Sequence, residues 1–308
     1  MERTLLGSTA SNLNGNLGSA WNSFRGKASP QPIRTMIGQA YGAWSLKDLF
    51  KTGKNVVQLY DASASPTARD FTATELTDGT YTSWVSGTAY VAKLYDQLGS
   101  NDLANTSNGL TTPIYDASDN TVKTDKGGIY GTYRGMSGSS TDAIENNFGG
   151  NNIGDGVTFF ANVRSNTGTN QVGNQPYWGV IDNAPASAEF QRSKALHLNA
   201  SNGIGGRVKD QGYTEFVTTY DNALTSSLQN YTVTIFRNPT IADTVTFELY
   251  RAGVKEKTTN TDTLDNGTLR VRSFNFGNGR GNANILLAYN RRLSELEVAK
   301  LEREIKAV

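Results

Sequence analysis

Glycoside hydrolysis needs two carboxyl groups facing one bond, with one of them held protonated. Glu145, Asp155, Asp182, Glu189, Glu215, Asp221 and Glu248 are the acids that could form such a pair. None stands in the apolar, aromatic-framed sequence that marks a proton donor. The chain has no cysteine and a single histidine, His197. That excludes disulfides and thiolate chemistry and argues against a histidine triad or a multi-histidine metal centre. His197 alternates with Leu196 and Leu198, so it belongs to the wetter side of a strand.

Aromatic and amide side chains offer better material. Tyr130, Tyr133 and Arg134 flank a Gly/Ser-rich loop, and Gln175 precedes Tyr177 and Trp178. Such groups stack on sugar rings and hydrogen-bond sugar hydroxyls, so these six are the candidate glycan-binding residues. The competing reading places Trp178 in a sandwich core. Asp96 and Gln97 read as structural turn residues, with Asp96 closing the Gly99–Asn101 turn and Gln97 bridging strands. Asp116-Ala117-Ser118-Asp119-Asn120 carries calcium-type oxygen ligands, but a β-turn uses the same residues. No cofactor and no metal site is expected. Gly203-Ile204-Gly205-Gly206 lacks the Lys-Ser/Thr and the helix of a phosphate loop and reads as a turn.

Charge and composition narrow the partners. Lys+Arg 29 against Asp+Glu 28 leaves +1, with no basic excess for nucleic acid. No apolar run is long enough to span a membrane, and the N-terminus lacks a secretory pattern. Gly 32, few prolines and 10% aromatics suit short strands joined by turns.

The elements that would position these residues are mostly strands. Residues 1–40 are polar and Gly/Ser/Asn-rich, punctuated by Leu13, Leu17, Trp21 and Phe24. They read as a flexible arm, with Leu13, Leu17, Trp21 and Phe24 attaching it to a partner. Ser45 to Phe50 reads as a short helix capped by Ser45 with Asp48 at its third position. From Val56 onward the pattern is strand-like, with strands near Val56, through Tyr81–Ala92, at Val157–Arg164, Trp178–Ile181, Tyr231–Arg237, Val245–Gly253, Arg270–Gly277 and Ala283–Asn290. Leu293 to Lys306 is the clearest helix. Ser294 and Glu297 stand in capping-box register, and Leu296, Val298, Leu301 and Ile305 supply an apolar face. The fold class is all-β, an antiparallel jelly-roll sandwich over residues 41–308, with a short helix near its start and one at its C-terminus.

Two blocks carry a family resemblance. Trp44-Ser45-Leu46-Lys47-Asp48-Leu49 with Asn55–Asp61, followed by Tyr95-Asp96-Gln97-Leu98-Gly99, resembles the start of the arabinofuranosidase-B-like sandwich. That family is a branch of the concanavalin-A-like lectin/glucanase (LamG-type) fold. The ending Leu286-Leu287-Ala288-Tyr289-Asn290-Arg291-Arg292-Leu293-Ser294 is similar to the close of such modules. The family's nucleophile follows a Cys-Cys segment ending in FDYGNAE. Here Trp178-Gly179-Val180-Ile181-Asp182-Asn183 takes the comparable place, so the family's catalysis does not carry over.

Variants of this module are frequent in virion proteins of tailed phages. The resemblance implies a non-enzymatic virion protein, as capsid decoration, fibre or tail adhesin. The arm would dock on other virion proteins and the sandwich would face host-surface polysaccharide. A homo-oligomer fits exposed sheet edges. A glycoside hydrolase and a free carbohydrate-binding module are the alternatives.

Overall fold

The computed structural model describes residues 35–63, 67–99, 101–104, 113–124, 128–132, 156–165, 177–182, 194–198, 204–209, 215–220, 227–241, 244–260, 270–277 and 281–308. A compact unit runs from Met36 to Val308. It is an all-β antiparallel sandwich with a C-terminal helix.

One sheet, here the central sheet, is built in the order Gly42–Ser45, Gly281–Tyr289, Val157–Ser165, Gln229–Arg237, Val245–Arg251, Val254–Asn260. The other, the outer sheet, starts Thr67–Thr72, Asn55–Asp61, Ala89–Leu94, Leu103–Ala104, Gly128–Thr132. It continues Arg270–Gly277, Tyr177–Asp182, Lys194–Leu198, Ile204–Lys209, Glu215–Tyr220. The hairpin Ile114–Asp116/Thr121–Thr124 joins the two, because Ile114 pairs with Tyr90 and Val122 with Ala283.

Side-chain alternation gives the central strands two buried faces, except the edge strand Val254–Asn260, which is mostly exposed. Phe159, Ala161, Val163, Val233, Phe247 and Leu286 meet the outer sheet's Val57, Leu59, Val91 and Trp178 in one core. Phe160, Tyr250, Ile285, Leu287 and Tyr289 point the other way, into a second core under the C-terminal helix. That helix spans Glu295–Lys306, with the Ser294/Glu297 capping box formed in both directions. Its buried stripe is Val298, Leu301, Glu302 and Ile305, the i, i+3, i+4, i+7 spacing of one face. Leu296 is not on it. Two residues before Val298 it turns to the opposite side and is 75% exposed.

Two further expectations change. Residues 45–50 are not helical. Ser45 ends a strand, and Asp48 accepts from the N–H groups of Phe50, Thr52 and Gly53, closing a turn. The short helix is instead Thr80–Trp84, inside a stretch that reads as strand. Tyr81 and Trp84 lie edge-on to Phe71 there, and Tyr81 also meets Tyr115. Met36 and Ile37, placed by the sequence reading at the end of the arm, are buried. Their N–H groups donate to the Glu304 carboxylate at 2.9 and 3.1 Å, and the Tyr289 hydroxyl donates to the Met36 carbonyl. Leu13, Leu17, Trp21 and Phe24 lie outside the described residues.

The second core is not wholly apolar. Glu248 is 5% exposed on the central sheet. It accepts from Thr234 Oγ1 and Tyr250 Oη, both at 3.0 Å, and from Arg292 Nη2 at 3.2 Å. Lys255 stands at 3.3 Å, and the Arg292 guanidinium stacks 3.4 Å from the centre of the Phe236 ring. Burial pushes the Glu248 carboxyl up. Arg292 together with the Tyr250 and Thr234 hydroxyls outweighs it and leaves the group below the usual carboxylate range.

A lowered folded-state value means that this stabilisation is present above the unfolded value of about 4.3 and disappears as pH falls through the folded one. Glu248→Gln should therefore cost roughly 1–3 kcal/mol at neutral pH. The cost stays below that of a fully buried pair because the Arg292 side chain is 38% exposed. Urea unfolding should show the gap to wild type narrowing below about pH 4. An equal gap at both pH values would mean the carboxylate's charge is not its source.

Candidate functional site

Apart from its exposed edge strand Val254–Asn260, the central sheet is covered on both sides, and the outer sheet's far face offers the broader accessible surface. Its first three strands set that face by alternation. Val57, Leu59, Val91, Leu94 and Phe71 turn inward. Gln58 and Tyr60 therefore turn outward, as do their cross-strand partners Asp70 and Ala68 on one side and Lys93 and Tyr90 on the other. Ala92 is an extra residue between Lys93 and Val91, a bulge that restores the inward phase. Tyr60, Tyr90 and Tyr95 are half-buried.

Asp70 gathers the polar groups of this face. Its Oδ1 accepts from Tyr95 Oη at 2.8 Å and from Gln58 Nε2 at 2.9 Å. Asn55 Nδ2 stands 3.5 Å from Oδ2, which leaves that oxygen able to accept another donor. The Lys93 ammonium lies 5.1 Å over the Tyr95 ring and 3.6 Å from the Asp102 carboxylate. The Tyr95 phenol is pushed up to about 12, first by burial, then by its hydrogen bond to Asp70 and the charges of Asp70 and Asp102. The result is a face of phenolic rings, the Gln58 and Asn55 amides, carboxylates and the Lys93 ammonium. It can accept hydroxyl donors and present ring faces.

Asp96 and Gln97 lie just beneath it. The Asp96 carboxylate accepts from the N–H groups of Ala43 (3.0 Å), Leu98 (3.1 Å) and Asn101 (3.3 Å). Gln97 Oε1 accepts from Leu49 N–H, while Nε2 donates to the Ser45 and Lys47 carbonyls. The Asp96 N–H donates to Asp102, so this clamp is tied to the tyrosine face.

The sequence-selected glycan residues divide. Tyr130 pairs with Ala104, and Ala104 pairs with Lys93. Its register position thus extends the row Asp70–Gln58–Lys93–Ala104 across the sheet. Tyr177 sits opposite Gly277 and His197. Tyr133, Arg134 and Gln175 lie outside the described residues. Trp178 is a correction. It is fully buried, edge-on to Trp44 and Phe159, and its indole N–H donates to the Leu287 carbonyl at 3.0 Å. No ring face remains for a sugar.

Of the candidate acids, Glu248 is locked in its ion pairs. Asp182 and Glu215 sit at strand ends, and the other four lie outside the described residues. In the Asp116–Asn120 turn, Asp116 accepts from Ser118, Asp119 pairs with Arg164, and Asn120 takes a left-handed φ of 53°. Among the described residues no group of three or more His, Cys, Asp or Glu side chains is placed to hold a metal ion. Gln58, Tyr60, Asp70, Tyr90, Lys93 and Tyr95 went unselected from sequence. The alternation Val57-Gln58-Leu59-Tyr60 was the available signal, and the bulge at Ala92 concealed its counterpart.

No family model and no curated protein matches the chain. Among solved structures it is similar to the binding domain of botulinum neurotoxin serotype D, at 12% identity and TM-score 0.43, covering 81% of this chain and 50% of that one. It is similar to a GH54 α-L-arabinofuranosidase at 13% identity and TM-score 0.49, covering 87% and 62% respectively. It is also similar to Trypanosoma rangeli sialidase at 11% identity and TM-score 0.43, covering 96% and 39%. The chain spans about half the length of the first solved structures it matches.

Two measurements check this geometry. Asp96→Ala strands three backbone donors and should lower unfolding free energy by about 1–3 kcal/mol in urea titrations. Asp70→Asn should bring the Tyr95 titration down from about 12. It should stay above the ordinary value of about 10, because burial persists. Phenolate absorbance, read against Tyr95→Phe, follows that single group; an unmoved midpoint would remove Asp70 as a cause.

Proposed function

We propose that this chain is a non-catalytic carbohydrate-binding sandwich that takes glycan on the outer-sheet face around Asp70. The carrying observation is the juxtaposition on one sheet face of Asp70, Gln58 and Tyr95 in hydrogen-bond contact, beside the cross-strand pair Tyr60 and Tyr90. Carboxylate and amide oxygens accept from sugar hydroxyls, and phenolic rings cover the apolar sides of sugar rings while keeping a polar tip. A non-catalytic role is supported by the missing family catalytic string and by the fixed, ion-paired state of Glu248.

The setting we propose is the surface of a tailed-phage virion, with host-surface polysaccharide as the ligand. Its support is the likeness of the Trp44–Leu49, Tyr95–Gly99 and Leu286–Ser294 blocks to modules frequent in such particles. The N-terminal arm would then meet other virion proteins.

A glycan array carrying bacterial surface polysaccharides, probed with the full chain, tests the reading. Wild type should bind at least one polymer without releasing sugar from it. Asp70→Ala combined with Tyr90→Ala should weaken binding at least about tenfold, the loss of roughly 1.4 kcal/mol, while melting as wild type does within a few degrees. Failure of wild type to bind any polymer, or release of sugars from the bound one, would overturn the proposal.

A further inference from the structure

We propose that the outward face of the C-terminal helix is a docking surface for an acidic, partly apolar segment of a partner protein. The proposal is independent of the glycan reading. The helix covers the second core, on the side of the central sheet away from the outer sheet.

The helix buries Val298, Leu301 and Ile305 and turns Leu296, Lys300, Arg303 and Ala307 to the opposite side. Their i, i+4, i+7, i+11 spacing makes one exposed stripe, about 17 Å long at ~1.5 Å per residue. Leu296 is the most exposed large apolar side chain among the described residues.

Charge gives the stripe its sign, because every acid of the helix is committed elsewhere. Glu295 is 2.9 Å from Lys255, and Glu297 is 2.8 Å from Arg291. Glu302 accepts from Asn230 and meets Lys306. Glu304 accepts from the Met36 and Ile37 N–H groups. Lys300 and Arg303 have no acidic partner among the described residues. The helix therefore offers an apolar anchor followed by two unpaired cations.

The occupant must use both parts. A second copy of this face would bring four such cations into one contact with no unpaired acid of the helix to match them. A phosphate polymer would use the cations but leave Leu296 in water, and its affinity rests on many such charges. A bilayer takes up the apolar face of an amphipathic helix, and here that face is already buried. A peptide segment with carboxylates beside a large apolar side chain pairs with cations and leucine alike. So small a surface fits a weak, transient contact.

The test selects random peptides of about 12 residues, the span of the stripe, on the immobilised full chain. Lys300→Glu combined with Arg303→Glu serves as the counter-selection. Wild type should enrich peptides with Asp or Glu flanking a large apolar residue. By fluorescence anisotropy, an enriched peptide should lose at least about fivefold in Kd with Leu296→Ser and about tenfold with the double charge reversal. Leu296→Met should bind as wild type does. Raising salt from about 0.05 to about 0.5 M should weaken the complex several-fold. The variants should melt within a few degrees of wild type, since these side chains point away from both cores. Enriched peptides without acids, or none that tell wild type from the double variant, would overturn the proposal. So would a Kd unmoved by Leu296→Ser, or tighter binding to phosphatidylglycerol vesicles than to the enriched peptide.

Discussion

The burial of the central sheet on both sides is the constraint from which the rest of the structure follows. A sheet of this kind cannot use the usual alternation of apolar and polar positions, because both sets of side chains leave water. Phe159 and Phe160 are consecutive, and each is fully buried, in different cores. Burying two such rings contributes on the order of 2–3 kcal/mol apiece. The C-terminal helix and the Met36–Gln39 turn exist, in this sense, to cover the second face.

Such a sheet still carries polar residues, and each one needs a partner inside the protein. Thr234 and Tyr250 spend their hydroxyls on Glu248, and Asn230 joins Asn162 to Glu302 of the helix. Thr158 donates to the Arg291 carbonyl and accepts from Leu293 N–H, fixing the chain just before the helix begins. The polar side chains of the central sheet thus hold the helix in addition to its apolar stripe.

The sequence was most legible where one local signal decided the structure. Ser294 and Glu297 marked the helix start because a capping box needs nothing beyond the next turn. Central strands such as Tyr231–Arg237 were plain from their β-branched and aromatic runs. Ser45 with Asp48 gave the same local signal and the wrong element. The Ala43 and Leu49 N–H groups are satisfied by Asp96 and Gln97, some fifty residues on, and no local rule foresees that competition. The Thr80–Trp84 helix was hidden because it is a single turn: Tyr81 and Trp84 stand at the i, i+3 spacing of one helix face, and so short an element does not repeat that period. The outer face was hidden for a different reason. Reading its row of residues requires cross-strand register, and the bulge at Ala92 breaks the period on which a sequence argument relies.

The Tyr95-Asp96-Gln97 block explains why the clamp and the candidate site belong together. Leu94 is buried between the sheets, so Tyr95 emerges on the far face while Asp96 turns back under Ala43. Three successive residues therefore serve core, surface and clamp in turn. Asp102 receives the Asp96 N–H with one oxygen and faces Lys93 with the other. A shift in the clamp would move the carboxylate that holds Lys93 and the ring beneath that ammonium. Rigidity in the sandwich is in this way delivered directly to the proposed binding face, which would lower the ordering entropy that binding otherwise costs.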